Sequence, residues 1–439
     1  MESTRITSHA ARASSLRPRD RLGLSSHYFF MFAAAGFTIA FLPLFLRGRG
    51  LSLTQIGALG AIYALAGAST QVPLGALSDR LGRRKALAVA GALALGATYL
   101  LFDRARGFPD FCLLYLVTGT LFFTIATLTS TLISDWTAGT RSTGRSYGIT
   151  RIWGSIGFIA TLVVVSAFPG VTRGANLLPA IAVLLWFSGL CISSVAEPEQ
   201  HSREPQPLFK GVPRLLRNTN LSVFLLTFFL FRMCESGSLS FLSIYLEDLK
   251  ASRSLIALAF AFSAVVEIPF MIWVGGASDR IGRRPPLVIA FLAMPLRLFL
   301  YSQLARPADV FFIQLFHGLT FSFMLVSSLA FVADLSPGEL RGTGQGMLTM
   351  VAAAAMGLGP FLAGWMGDRV SISSMYIVLA GVAFVSGLIF ILFVHESHPE
   401  LNAERLDMRA ARRHRLLRPG VNFLSRPIFA LIGKDQDQP

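Results

Sequence analysis

Apolar residues in this chain come in repeated blocks of about 17 to 25, the length an α-helix needs to cross a hydrocarbon layer about 30 Å thick. Short polar, charged or Pro/Gly-containing segments separate them. Six blocks fall at 27–46, 54–76, 86–102, 110–133, 147–168 and 176–195, and six more at 221–246, 254–276, 286–304, 308–333, 342–366 and 373–394. The pattern predicts an all-α membrane protein with twelve transmembrane helices in two six-helix bundles, 27–195 and 221–394. The segment 196–220 contains EPEQHSREPQP, whose prolines and charges cannot continue a membrane helix, and reads as a linker. Residues 1–26 and 395–439 read as tails, the second carrying the basic run RLDMRAARRHRLLRP.

Composition agrees with the blocks: 53% of residues are hydrophobic and 14% charged, far from the quarter or so charged in soluble domains. The net charge of +15 raises the question of nucleic acid, which the placement of the charges answers. About 27 of the 39 Lys and Arg residues fall on one side of the spans and about 9 on the other, the asymmetry of cytoplasmic loops in a multi-pass protein. Both tails and the linker are therefore expected in the cytoplasm, the protein in the plasma (inner) membrane, and no nucleic-acid partner. Residues 1–26 hold five arginines and no apolar core, so no cleavable signal is expected; an Arg/Ser-rich transit peptide is the alternative, against which Glu2 and Asp20 argue. The three cysteines, Cys112, Cys191 and Cys234, lie in separate blocks and imply neither a disulfide nor a metal site. With no phosphate loop, H-E-x-x-H or G-x-S-x-G motif, neither an enzyme nor a cofactor is expected.

The chain repeats itself. At an offset of 200, Gly75, Asp79, Arg80, Gly82, Arg83 and Arg84 match Gly275, Asp279, Arg280, Gly282, Arg283 and Arg284. Asp135, Arg141 and Gly144 match Asp334, Arg341 and Gly344 with one residue of slippage, and Gly119 matches Gly318 at 199. Six spans per half give both copies the same orientation, a parallel repeat about the membrane normal. In each loop the aspartate follows a helix C-terminus, where the helix dipole disfavours an anion unless a cation or another helix N-terminus faces it. Such a pairing can lock one packing of two helices and release it in another.

This doubled G-x-x-x-D-R-x-G-R-R loop resembles the signature of the major facilitator superfamily over residues 25–395. The run Tyr147–Phe158 (YGITRIWGSIGF), Glu267 in AVVEIPF, Arg297 in PLRLFL and His317 in QLFHGLTF resemble its lactose-permease and phenylpropionate-permease branch. The resemblance implies a monomeric secondary transporter that passes a small solute by alternating access, with a carboxylate, an arginine and a histidine serving proton and solute coupling. In the sugar permeases a carboxylate follows the histidine by three residues. Here that position is Thr320, so Glu267 or Glu235 would have to carry the proton, or transport is not proton-coupled.

Ionisable side chains inside the bilayer are costly and usually face a wet cavity or a partner. Six stand out: Arg151, Arg232, Glu235, Glu267, Arg297 and His317; their repeat positions hold Val351, Phe32, Ala35, Gly67, Ala97 and Thr118. At about 1.5 Å per residue all but Arg151 fall roughly 12–24 Å above the cytoplasmic helix ends, with Arg151 shallower. Glu267 is expected to pair with Arg297; beside a guanidinium the carboxylate stays charged, and away from it burial favours the protonated form. A static ion pair is the competing reading. Arg232, three residues before Glu235, can neutralise it on one helix face. His317 shares a polar stripe with Gln314 and Thr320. The expected function is import of an organic acid, sugar or nucleoside-like solute coupled to protons, with proton-driven drug efflux as the alternative and a non-transporting receptor beyond that. Efflux carriers usually have a Gly-Pro-rich fifth helix; here such a run, Gly357–Gly364, lies in the eleventh.

Overall fold

A computed structural model describes residues 17–136, 143–172, 176–197 and 211–398. The greater part of both tails and most of the linker lie outside the described residues, as do the side chains at 72, 75–77, 79–81, 134–136 and 143–148. Six helices form the first half: α1 (Pro18–Gly48), α2 (Leu53–Leu81), α3 (Arg84–Leu101), α4 (Phe108–Trp136), α5 (Thr143–Ala167) and α6 (Leu177–Ser193). In the second, α7 (Thr219–Asp248), α8 (Arg253–Ile281) and α9 (Arg284–Ser302) precede α10, which runs through Val310–His317, a π-turn at Gly318–Ser322 and Phe323–Leu335. The last two are α11 (Arg341–Arg369) and α12 (Ile372–Phe393). Ten of these helices, among the described residues, are long and apolar enough to cross a membrane.

The repeat reaches the local signals that start and stop helices. Ser52 and Ser252 cap α2 and α8 by accepting from Gln55 N and Leu255 N. Gly82 (φ 64°) and Gly282 (φ 96°) then end the same two helices in backbone that an L side chain resists. Packing repeats as well. The pairs α1–α5, α1–α6, α2–α4 and α3–α6 recur six helices later as α7–α11, α7–α12, α8–α10 and α9–α12. Between halves, α2 lies on α11 and α5 on α8, partners exchanged by the same symmetry.

Helix α1 begins at Pro18 rather than near 27. Its polar first turns are buried against protein: Asp20 accepts from Ala196 N at 2.8 Å, and His27 Nδ1 lies 2.7 Å from Ser188 Oγ on α6. At the other end of the helices the halves touch closely. Arg47 pairs with Asp248 at 2.8 Å, and the Asp368 carboxylate accepts from Leu53 N and Thr54 N at 2.9 and 2.7 Å. Any Cβ on Gly57 would strike the Pro360 carbonyl, and one on Gly364 that of Leu53. Toward the ends that bear the termini, Gly275, Gly276, Gly342 and Gly346 border open space.

Candidate functional site

Helix α7 carries Arg232 and Glu235 one turn apart, and they form an ion pair. The second carboxylate oxygen of Glu235, Oε1, is buried without a partner. On α8, Glu267 Oε2 stands 3.9 Å from His317 Nε2 on α10. The His317 ring stacks on Phe321 with centroids 5.3 Å apart, and its Nδ1 has no partner. Two devices fix this junction: Ser322 donates to the Glu267 carbonyl at 3.0 Å, and Gly318 admits the Phe270 ring where a Cβ would collide. Both residues belong to the π-turn, a one-turn widening of the kind that recurs at functional sites.

Arg297 does not pair with Glu267. Its guanidinium, 3% exposed, donates to Thr320 Oγ1 at 3.0 Å, Tyr301 Oη at 3.2 Å and Gln314 Oε1 at 3.2 Å. Tyr301 donates in turn to Gln314 Oε1 at 3.1 Å. Thr320, at the position where the sugar permeases hold a carboxylate, is thus an acceptor for Arg297. The expected pairing fails because Thr320 and Gln314 of α10 and Tyr301 of α9 itself engage the guanidinium. Leu93 and Leu100 share an exposed face matching that of Leu292 and Phe299, so α3 and α9 correspond at 199, and the counterpart of Arg297 is buried Thr98, not exposed Ala97. Arg151, from the first half, lies over the Phe32 ring at 3.8 Å and the Tyr28 ring at 5.9 Å, on α5, which packs across the seam on α8, the helix of Glu267.

A cavity of about 450 Å³ lies between α1, α2, α3, α4 and α6 of the first half and α7 and α11 of the second. Among the described residues its wall includes Phe32, Tyr63, Tyr99, Tyr115, Phe122 and Phe123, and no charged side chain. None of Arg151, Glu235, Glu267, Arg297, Gln314 and His317 lines it. The tyrosines escape a search for buried charge, yet the repeat marks them: at 200, 199 and 199 their counterparts are Ser263, Leu298 and Gln314.

In the second copy of the loop, Arg283 pairs with Asp279 and, through Nε at 3.1 Å, with Asp334 at the end of α10. A cation thus faces an aspartate in the last turn of each of α8 and α10. Glu396 accepts from Arg283 N and Arg284 N at 2.9 and 3.1 Å, while the Arg284 side chain donates to the Ile391 and Val394 carbonyls. In the first copy Glu197 accepts from Lys85 N at 3.1 Å. Glu197 and Glu396, 199 residues apart, are a further repeat of anions at helix N-termini that the loop motif alone does not reveal. Arg84 is buried, Arg83 and Arg280 are exposed, and Gly75 and the side chains of Asp79, Arg80, Asp135 and Arg141 lie outside the described residues.

A family model described as "MFS_1 like family" matches residues 22–378. The "Uncharacterized transporter YwbF" of Bacillus subtilis is 26% identical over 92% of this chain and 98% of its own length. The "Putative nucleoside transporter YegT" of Escherichia coli is 26% identical over 84% and 93%. Among solved structures, that of a point mutant of the nucleoside transporter NupG superposes with a TM-score of 0.78 at 18% identity, over 85% of this chain and all of the other, a likeness of fold. With a doubled loop, twelve helices in two six-helix halves and a family match over most of its length, this chain belongs to the MFS_1-like family and is a multi-pass membrane transporter of the major facilitator superfamily.

Proposed function

We propose that the protein imports a small organic solute together with a proton by alternating access, the two halves rocking about a site between them. The observation that carries this reading is the Glu267–His317 approach of 3.9 Å, a carboxyl and an imidazole without other hydrogen-bond partners for their facing atoms, across from Arg151 of the other half. Arg151 and Glu267 belong to helices that meet at the moving seam. When the seam is closed Arg151 stands on the helix facing that of Glu267; when it parts, the carboxylate loses that counter-charge and gains access to water, from which it can take a proton. The proton then leaves by His317 or by water.

The tight contacts around Gly57, Asp368 and Asp248, and the open space near Gly275 and Gly342, support an inward-open state, with both termini cytoplasmic and the protein in the plasma membrane. In this reading 27–195 and 221–394 are the moving bodies and 196–220 their cytoplasmic linker. The Gly-Pro run of α11, the feature closest to an efflux motif, packs on α2 and α7 as part of the outer closure. A test reconstitutes the full chain in oriented vesicles and measures uptake of labelled sugars, nucleosides and organic acids under an imposed pH gradient. Wild type accumulates at least one of them, and Glu267→Gln loses roughly tenfold or more of that accumulation. Driven uptake unchanged by the substitution overturns the coupling.

A further inference from the structure

We propose that the transported solute is uncharged and carries a planar ring with hydrogen-bonding groups at its edge, held by Tyr63, Tyr99 and Tyr115. The proposal deepens the transport reading above and rests on it. At about 450 Å³ the cavity lies within the range of roughly 300–1,000 Å³ usual for small-molecule sites. It is large enough for one such solute.

Among the described residues the wall carries no Asp, Glu, Lys, Arg or His. An anionic solute brought there gives up its hydration and finds no counter-charge, an unfavourable transfer. The lining Ser and Thr hydroxyls already direct their protons to backbone carbonyls. Thr38 donates to the Ala35 carbonyl, Thr118 to that of Tyr115, Ser236 to those of Met233 and Ala355, and Ser240 to that of Ser236. The tyrosines differ. Arising from α2, α3 and α4, the three line one cavity, and none of their hydroxyls bonds to another described residue. Tyr99 is buried and Tyr63 and Tyr115 are half-buried, and the hydroxyls that lack a protein partner are open to the cavity rather than sealed in the core. Three that converge on one cavity without a partner are donors and acceptors waiting for a solute.

Ring geometry adds the second requirement. Tyr63 sits 6.4 Å from Tyr115, 6.0 Å from Phe122 and 5.5 Å from Phe123, centroid to centroid, at angles from 43° to 73°. Aromatic walls set at such angles receive a flat ring edge-to-face or offset-stacked. The tyrosine rims supply the hydrogen bonds at its edge. Charge is kept apart, on Arg151, Glu267, His317 and Arg297, outside this wall.

The test measures thermal stabilisation of the detergent-purified full chain by matched probes: phenyl β-glucoside and uridine (uncharged, planar ring), methyl β-glucoside (no planar ring) and phenylacetate (ring with a carboxylate). Stabilisation by an uncharged ring probe, exceeding that by the other two, is expected. In the combined variant Tyr63→Phe, Tyr99→Phe, Tyr115→Phe the rings remain, and binding of that probe weakens roughly tenfold or more while the ligand-free unfolding temperature stays within a few degrees. Preference for phenylacetate or methyl β-glucoside, no response to either uncharged ring probe, or full binding by the folded triple variant overturns the proposal. The two readings fail separately. A ring probe that binds but is never accumulated under a pH gradient counts against proton-coupled transport, and gradient-driven accumulation of phenylacetate counts against this assignment alone.

Discussion

In the first half of the molecule, Tyr63, Tyr99 and Tyr115 surround a cavity that no charged residue lines; in the second half the same places hold Ser263, Leu298 and Gln314. Gln314 is drawn into a buried cluster with Arg297, Thr320 and Tyr301 that fills the space between α9 and α10. The contrast extends to the junction of second and fourth helices. Gly67 lets the Phe123 ring press against α2, whereas Glu267 at the matching position of α8 faces His317. One duplicated frame thus carries an apolar, aromatic chamber on one side and an ionisable cluster on the other. The two copies share what holds the helices together and differ where the aromatic and ionisable side chains stand.

That contrast breaks most visibly at the seam between halves. Gly57→Ala puts a methyl group into the Pro360 carbonyl, so the outer closure cannot form, and solute uptake in vesicles falls by about tenfold or more. Next in size is the ionic cluster. Arg297→Met removes the guanidinium from Thr320 and from Gln314, which keeps only its Tyr301 donor, in a buried site, costing about 1–3 kcal/mol, read as a lower unfolding temperature in detergent. The scaffold should respond alike in both copies: Glu396→Ala removes a helix N-terminal acceptor at a cost of about 0.5–2 kcal/mol, and Glu197→Ala acts in the same direction with less, having fewer bonds. Smallest is Arg214→Ala. Its ion pair with Glu339 is about two-thirds exposed on both sides, and its loss changes stability by about 0.5 kcal/mol or less.

Much of this frame is legible in the chain. Block lengths and the Gly82/Gly282 loops predict twelve helices in two halves, because membrane thickness and a left-handed backbone turn leave few alternatives. The start of α1 is not legible, since Asp20 and His27 look like tail residues until α6 and Ala196 supply partners. The six buried charges announce themselves by cost, but their pairing depends on helix rotation. Arg297 bonds Thr320 while Glu267 faces His317, an arrangement set by how α8, α9 and the π-turn of α10 pack and not by spacing along the chain. The tyrosines are quieter still. Aromatic residues in a membrane chain ordinarily face lipid or neighbouring helices, and only the failure of the copies to match sets Tyr63, Tyr99 and Tyr115 apart.

The division between an aromatic binding half and an ionic coupling half is tested most directly by measuring two modes of transport in the same vesicles: solute exchange without a gradient and accumulation driven by a pH gradient. The account predicts that Glu267→Gln keeps exchange and loses accumulation, while the triple tyrosine-to-phenylalanine variant loses both together. Loss of exchange in Glu267→Gln with full accumulation in the tyrosine variant would contradict it.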